Sequence, residues 1–273
     1  MISGDIGSDI LTVAFLALVG ILAGFSSGLL GIGGGVILNP ILLFFLRSRG
    51  VPWDVVTHTV FGTSLMVIVF SSAASAYHHS SKGNVLWRVS LPLAFASVAG
   101  ALFGSYLAAH IPGRMLAKLF GLLLVIVSVR MFMPLEERGA GGVRSDLPLV
   151  VPIGLVTGFV SSMFGIGGGV VSIPLMVFLL RVPVKKVAGT SSAAIIVTAA
   201  AGMLGYMHSG WGNPCVPSPS LGYVLWGAAI PLAFGSVFGA GLGARVNFGL
   251  SSIWLKRIFA VFLLLMAFRM IIF

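Results

Sequence analysis

From residue 10 onward the chain consists of long apolar runs separated by short polar gaps, falling at about 10–30, 33–46, 55–77, 85–109, 115–133, 148–166, 167–180, 187–207, 222–244 and 253–273. A run of about 18 or more such residues reads as a membrane-spanning helix. Hydrophobic residues make up 58% of the 273 and charged residues 8%. A soluble domain carries about 25% charged residues, so this chain cannot cover itself with a wetted surface. The expectation is an all-α integral membrane protein, one domain over residues 1–273. The first basic residue is Arg47, so residues 10–28 lack the cationic start of a cleaved signal and read as a retained first span.

Inside that apolar background one pattern stands out. Gly24-Phe25-Ser26-Ser27-Gly28-Leu29-Leu30-Gly31-Ile32-Gly33-Gly34-Gly35 returns 134 residues later as Gly158-Phe159-Val160-Ser161-Ser162-Met163-Phe164-Gly165-Ile166-Gly167-Gly168-Gly169. Pro40 and Pro174 follow each copy. Glycine and proline are poor residues for a helix interior, so both runs are expected to break here. A broken helix at membrane depth frees backbone groups that only protein or an aqueous cavity can meet. Paired Gly/Pro interruptions at matching positions of two halves point to a transporter's substrate site.

The halves match well beyond the glycines. Gly62-Thr63-Ser64 answers Gly189-Thr190-Ser191, and Pro92, Gly100, Gly104 and Arg130 answer Pro231, Gly239, Gly243 and Arg269. Matching by identity sets Tyr77 and His79 against Tyr206 and His208. The reading is a duplicated four-to-five-helix repeat with Gly-interrupted helices in each half, residues 1–135 and 147–273, joined by a polar linker at 136–146. Segments 33–46 and 167–180 hold fourteen residues each, about 21 Å of helix, so length alone leaves their crossing open. If they do not cross, the two sides carry ten and six basic residues; if they do, eleven and five. Either split puts both termini on the poorer, outer side. Five crossings per half make the repeats inverted and four make them parallel.

Turned backbone with several inward N–H groups makes an anion-binding nest, and a helix starting just after it adds a positive dipole end. The candidate substrate-binding residues are therefore Ser26, Ser27, Gly31, Gly33, Gly34, Gly35, Asn39, Thr63 and Ser64 of the first half. Those of the second are Ser161, Ser162, Gly165, Gly167, Gly168, Gly169, Thr190 and Ser191. Neutral donors suit a small oxyanion that must also leave again. The six carboxylates Asp5, Asp9, Asp54, Glu136, Glu137 and Asp146 lie outside the apolar runs or at their edges, so no membrane-buried acid can relay protons. His79, His208, Tyr77, Tyr206, Arg130 and Arg269 are candidates for a proton or anion path, with interfacial hydrogen bonding or snorkelling as the plainer role for each. His58 is a further candidate for proton coupling. Five scattered histidines and the single Cys215 give no metal-ligand spacing and no nucleophile–base constellation. No cofactor, no metal and no enzymatic activity are expected. The net charge of +10 sits mainly in gaps between runs, as in cytoplasmic loops, so nucleic acid is not expected as a partner.

The doubled Gly-Phe-x-Ser-Ser-x-x-Gly-Ile-Gly-Gly-Gly-x-x-x-x-Pro pattern, with Gly-Thr-Ser opening a later helix in each half, resembles the TauE/SafE-type sulfite exporter family, also called the 4-toluene sulfonate uptake permease family. The resemblance spans both halves. It implies a prokaryotic inner-membrane carrier of sulfite, sulfonates or related anions. Asn39 faces Ile173, and the hydrophilic stretch 213–220 has no equal in the first half, so the halves need not contribute equally. The expected function is export of a small sulfur-containing anion by rocking of one repeat against the other. The alternative is a proton-coupled importer of a small organic acid or sulfur compound, and a third reading is a membrane scaffold. The partners expected are a small anionic substrate and the lipid bilayer, with a homo-oligomer left open.

Overall fold

A computed structural model describes residues 9–132, 142–247 and 253–272. Ten helices make up nearly all of it: α1 Ile10–Leu30, α2 Gly35–Ser48, α3 Trp53–Ser80, α4 Trp87–Ala109, α5 Gly113–Phe132, α6 Leu147–Met163, α7 Gly169–Phe178, α8 Val184–Ser209, α9 Trp226–Asn247 and α10 Ile253–Ile272. A two-stranded hairpin, β1 Ser220–Leu221 and β2 Val224–Leu225, lies before α9. Five helices, α1, α3, α4, α8 and α9, are long and apolar enough to cross a membrane by length and composition. Large apolar side chains such as Phe95, Phe103, Phe234 and Phe238 face outward, as they would toward lipid. The protein is an all-α integral membrane protein. Linker positions 136–141 lie outside the described residues; 142–146 run without helix, pinned by Arg144 N–H to Leu180 O at 2.9 Å.

Contacts at the helix ends give the directions. Arg49 reaches Thr12 Oγ1 at 2.8 Å, so α2 returns to the level where α1 starts. His79, near the end of α3, meets Gly28 O near the end of α1, and the start of α5 abuts Trp53 O at the start of α3. The first half therefore runs up, down, up, down, up. α6 lies parallel to α4, with Gly154 and Gly158 against Leu93 and Ser97, and so runs down. α3 and α8, which carry the matching Gly-Thr-Ser triplets, are antiparallel: Gly62 meets Tyr206, Ser75 meets Ser192, and Gly189 meets His79. The corresponding helices of the two halves thus point in opposite directions, five per half.

The most intimate helix pairs join one half to the other. α1 lies along α9 with Gly20, Gly24 and Gly28 against Leu232, Ser236 and Ala240. A methyl group at Gly24 would stand 2.0 Å from the Ser236 carbonyl oxygen. Gly235, Gly239 and Gly243 repay the contact against Ala17, Ile21 and Phe25. Small residues at such spacing let backbones approach closely. Repeats expected to rock as separate bodies are instead interleaved, because each half's glycine rows are complementary to the other half's.

Each connection has a local cause. Pro52 and Pro183, in extended conformation, set the starts of α3 and α8. Gly31 ends α1 in the left-handed region at φ 70°, its N–H bonded to Ser27 O. Gly34 and Gly168, at φ 76° and 94°, occupy the positions before α2 and α7, a region that β-carbons disfavour. Pro40 and Pro174 were expected at the break but lie inside α2 and α7. The glycines make the turn, and each proline withholds an N–H one turn into the helix that follows.

Candidate substrate site

The two glycine breaks cross each other. A β-carbon on Gly35 would fall 2.5 Å from Gly165 O, one on Gly169 2.3 Å from Gly31 O, and one on Gly33 2.9 Å from Ile166 O. α2 and α7 therefore start side by side, each against the other half's break. Asn39 Nδ2–H donates to Phe164 O at 2.8 Å and Gly165 O at 3.0 Å. Ser64 donates to Gly165 O at 3.0 Å. In the mirrored position Ser191 donates to Gly31 O at 2.9 Å, with Ser172 Oγ 3.0 Å from Ser191 Oγ. The Thr partners hold the loops, since Leu225 N–H donates to Thr63 Oγ1 and Leu86 N–H to Thr190 Oγ1.

The carbonyls of Gly31, Phe164 and Gly165 thus have side-chain donors; the amides around the breaks contrast with them. Among the described residues, no backbone acceptor takes the N–H groups of Ile32, Gly33, Gly34, Gly35 and Val36, nor those of Gly167, Gly168, Gly169 and Val170, and neither helix start has a capping side chain. Ser27, Thr157, Ser161 and Ser162 have buried hydroxyls with no hydrogen-bond partner among the described residues, and Asn39 Oδ1 is likewise without a donor. Thr157 and Ser161 line Gly168, within 2.9 and 3.3 Å of where its β-carbon would be. Ser26 is satisfied locally by Ala23 O. Two positive helix ends converge here with unused donors around them, the arrangement an anion stabilises. All the break glycines are buried in this conformation, so the crossing is closed.

The remaining candidates separate by position. His79 Nε2 meets Gly28 O at 3.0 Å, and Tyr206 O–H donates to Met163 O at 3.2 Å; both side chains are fully buried. Tyr77 is 73% exposed and His208 is exposed. Identity matching had set His79 against His208. Unbroken helix from Gly62 and from Gly189 puts His79 and Tyr206, each seventeen residues on, into equivalent places instead, each holding a carbonyl just before its own half's break. His58 is a staple, its ring nitrogens meeting Asp54 O, Ala108 O and Ile111 O at 3.0–3.1 Å. Arg269 lies over the Phe44 ring at 4.0 Å and Arg130 over Phe178 at 5.3 Å, so each guanidinium touches the short helix of the other half. Among the described residues there is no group of three metal-ligating side chains.

A feature that sequence reasoning left aside is the 213–225 segment. Its Tyr223 stacks on His58 at 5.1 Å and meets Tyr206 edge-on at 6.5 Å, filling the bundle at the lower end of α8. The unmatched hydrophilic stretch was the signal, but its Asn, Pro and Ser residues gave no hint of insertion into the core.

A polytopic helical bundle with crossed helix breaks is the architecture of a membrane transporter. The chain belongs to the TauE/SafE sulfite exporter family, whose description matches residues 16–270. A probable membrane transporter protein of Haemophilus influenzae is 33% identical over 254 residues, covering 93% of this chain and 96% of that protein. Another, of Methanocaldococcus jannaschii, is 31% identical over 239 residues, 87% of each chain. YunE of Bacillus subtilis, also named a probable membrane transporter protein, is 25% identical over 96% of this chain and 98% of its own. No solved structure matches the chain.

Proposed function

We propose that this transporter moves a small sulfur-containing oxyanion, sulfite or a small organosulfonate, out across the inner membrane, and that the anion binds where the two breaks cross. The surplus of donors carries the reading. The carbonyls of Gly31, Phe164 and Gly165 are bonded, whereas two runs of amides and the hydroxyls of Ser27, Ser161 and Ser162 have no partner among the described residues. The closed crossing is then an occluded form, and the anion enters when the bodies carrying α2 and α7 part. Lys82, Arg88, Arg144, Arg181, Lys185, Lys186 and Arg245 share the face where α1 and α3 end. The positive-inside tendency makes that face cytoplasmic and puts the start of α1 outside. An inside-negative potential drives an anion outward by about 2.3 kcal/mol per charge per 100 mV, so export needs no buried acid.

The test is the Ser27→Ala/Ser161→Ala pair. Removing buried hydroxyls that bond to nothing in the protein leaves the fold as stable or slightly more so. If they bind cargo, sulfite or methanesulfonate flux in proteoliposomes falls at least tenfold while the melting temperature holds. Unchanged flux for both anions rejects the site. Uptake that follows an imposed proton gradient rather than voltage, and that is lost in His79→Gln, establishes the proton-coupled importer instead.

A further inference from the structure

A cavity of about 720 Å³ opens beside the ends of α3 and α9, lined by His78, Lys82, Asn84 and Arg245. Three of the four are basic or can become so. Among the described residues no carboxylate pairs with them, the one ion pair there being Arg144 with Asp146. His78 Nδ1 is turned to Ala74 O at 2.8 Å, so that nitrogen carries the hydrogen. Nε2 lies on the side of Gly241, 3.4 Å from where its β-carbon would be. No protein acceptor for the Lys82 ammonium or the Arg245 guanidinium occurs among the described residues.

The position of this cavity gives it a role. His79, next to His78, holds Gly28 O. Ala244, next to Arg245, packs on Gly28 itself, 2.7 Å from where its β-carbon would stand. Asn84 O abuts Gly189, whose neighbour Ala188 lies against Gly31. The cavity walls are thus one residue removed at His78 and Arg245, and two at Asn84, from the end of α1 that leads into the first glycine break. The matching positions toward the opposite face carry different residues. His78 lies sixteen residues past Gly62 and Gly205 sixteen past Gly189; Arg245 lies six past Gly239 and Tyr106 six past Gly100. The positions that answer His78 and Arg245 there are therefore glycine and tyrosine.

We infer that the His78–Lys82–Asn84–Arg245 cavity is a one-sided vestibule that captures a small oxyanion and delivers it to the first break. The inference rests on the anion-transport reading above. A cleft of one charge sign raises local counter-ion concentration and on-rate by about 10-fold or more, without the tight grip that would stop release. It therefore acts on half-saturation rather than on turnover.

The experiment measures sulfite flux against sulfite concentration in proteoliposomes of phosphatidylcholine alone and with phosphatidylglycerol, for wild type, Lys82→Gln/Arg245→Gln and Lys82→Arg/Arg245→Lys. The neutralised pair is expected to raise half-saturation about tenfold with maximal flux within twofold, and to lose most of the salt dependence. The charge-conserving pair is expected to stay near wild type. Lys82→Gln alone, an exposed turn substitution, gives the same test at about threefold if the double variant does not fold. Half-saturation unchanged in the neutralised variants, while Ser27→Ala/Ser161→Ala abolishes flux, overturns the vestibule and leaves the crossing site standing. An effect confined to phosphatidylglycerol vesicles also overturns it, because the cavity then holds a lipid headgroup. If wild type moves neither sulfite nor methanesulfonate, the export reading fails. Sulfite binding in detergent, weakened or unchanged by Lys82→Gln/Arg245→Gln, then decides the cavity on its own.

Discussion

At the scale of single residues, the glycines divide into those that turn the chain and those that let two backbones touch, and the two kinds predict different failures. Gly34 and Gly168 hold left-handed conformations. Gly169 has no such angle but lies where a methyl group would meet Gly31 O at 2.3 Å and Ile32 Cα at 2.4 Å. Both are backbone atoms and cannot rotate away. Overpacking of a tight contact costs about 1–3 kcal/mol or more, so Gly169→Ala is expected to lower the melting temperature by about 5–10 °C and to abolish flux. Gly142, exposed and with nothing near its would-be β-carbon, is the control. Gly142→Ala should change neither measurement. A Gly169→Ala protein that melts and transports like wild type would show that the crossing is looser than these distances require. The glycine breaks themselves were legible in the sequence, because four glycines in five residues have no other use in a helix. The partnership of His79 with Tyr206 was not. The loops after the two helices differ in length, so matching residue types across them shifted the register by two.

At the scale of elements, α2 and α7 are too short and too broken to be held by the bilayer alone, and each is tied down by a cation from the other half's last helix. Arg269 over Phe44 and Arg130 over Phe178 are the two ties. A desolvated cation–π contact is worth about 2 kcal/mol and an exposed one about 0.5–1 kcal/mol. Phe44→Leu keeps an apolar side chain and removes the ring, so a loss near the lower figure is expected, Arg269 being exposed. Denaturation of Phe44→Leu, Arg269→Gln and the double variant should give a coupling of about 1 kcal/mol; additive losses would mean the ring and the cation act separately. Length alone left these helices undecided between crossing and half-crossing. The answer lay in contacts no single stretch contains, Arg49 with Thr12 and Gly34 with Ala23. The glycine rows of α1, α4, α6 and α9 likewise announced close packing without naming the partner. A row of small residues fits any smooth helix face, and only the assembled bundle pairs α1 with α9 and α4 with α6.

For the whole molecule, that pairing decides which bodies can move. α1 and α9 interdigitate backbone to backbone, as do α4 and α6, and α3 joins the first pair while α8 joins the second. The bodies expected to part are then α1, α3 and α9 on one side and α4, α6 and α8 on the other, each drawn from both halves of the sequence. Their shared seam is α3 against α8, where Ser75 and Ser192 hydroxyl oxygens stand 2.8 Å apart. Ser97 and Thr198, also in hydroxyl contact, lie instead within the second body, on α4 and α8. Hydroxyl contact makes each pair a candidate for a disulfide, which needs β-carbons about 3.5–4.5 Å apart. With Cys215→Ser as background, oxidised Ser75→Cys/Ser192→Cys is expected to stop sulfite flux and to recover it on reduction. Ser97→Cys/Thr198→Cys, oxidised to the same extent, is expected to keep most of its flux. The reverse result, a tolerated seam bond and a blocking bond between α4 and α8, would mean that the two halves of the chain move as units after all and that the interleaved helices slide past each other in every cycle.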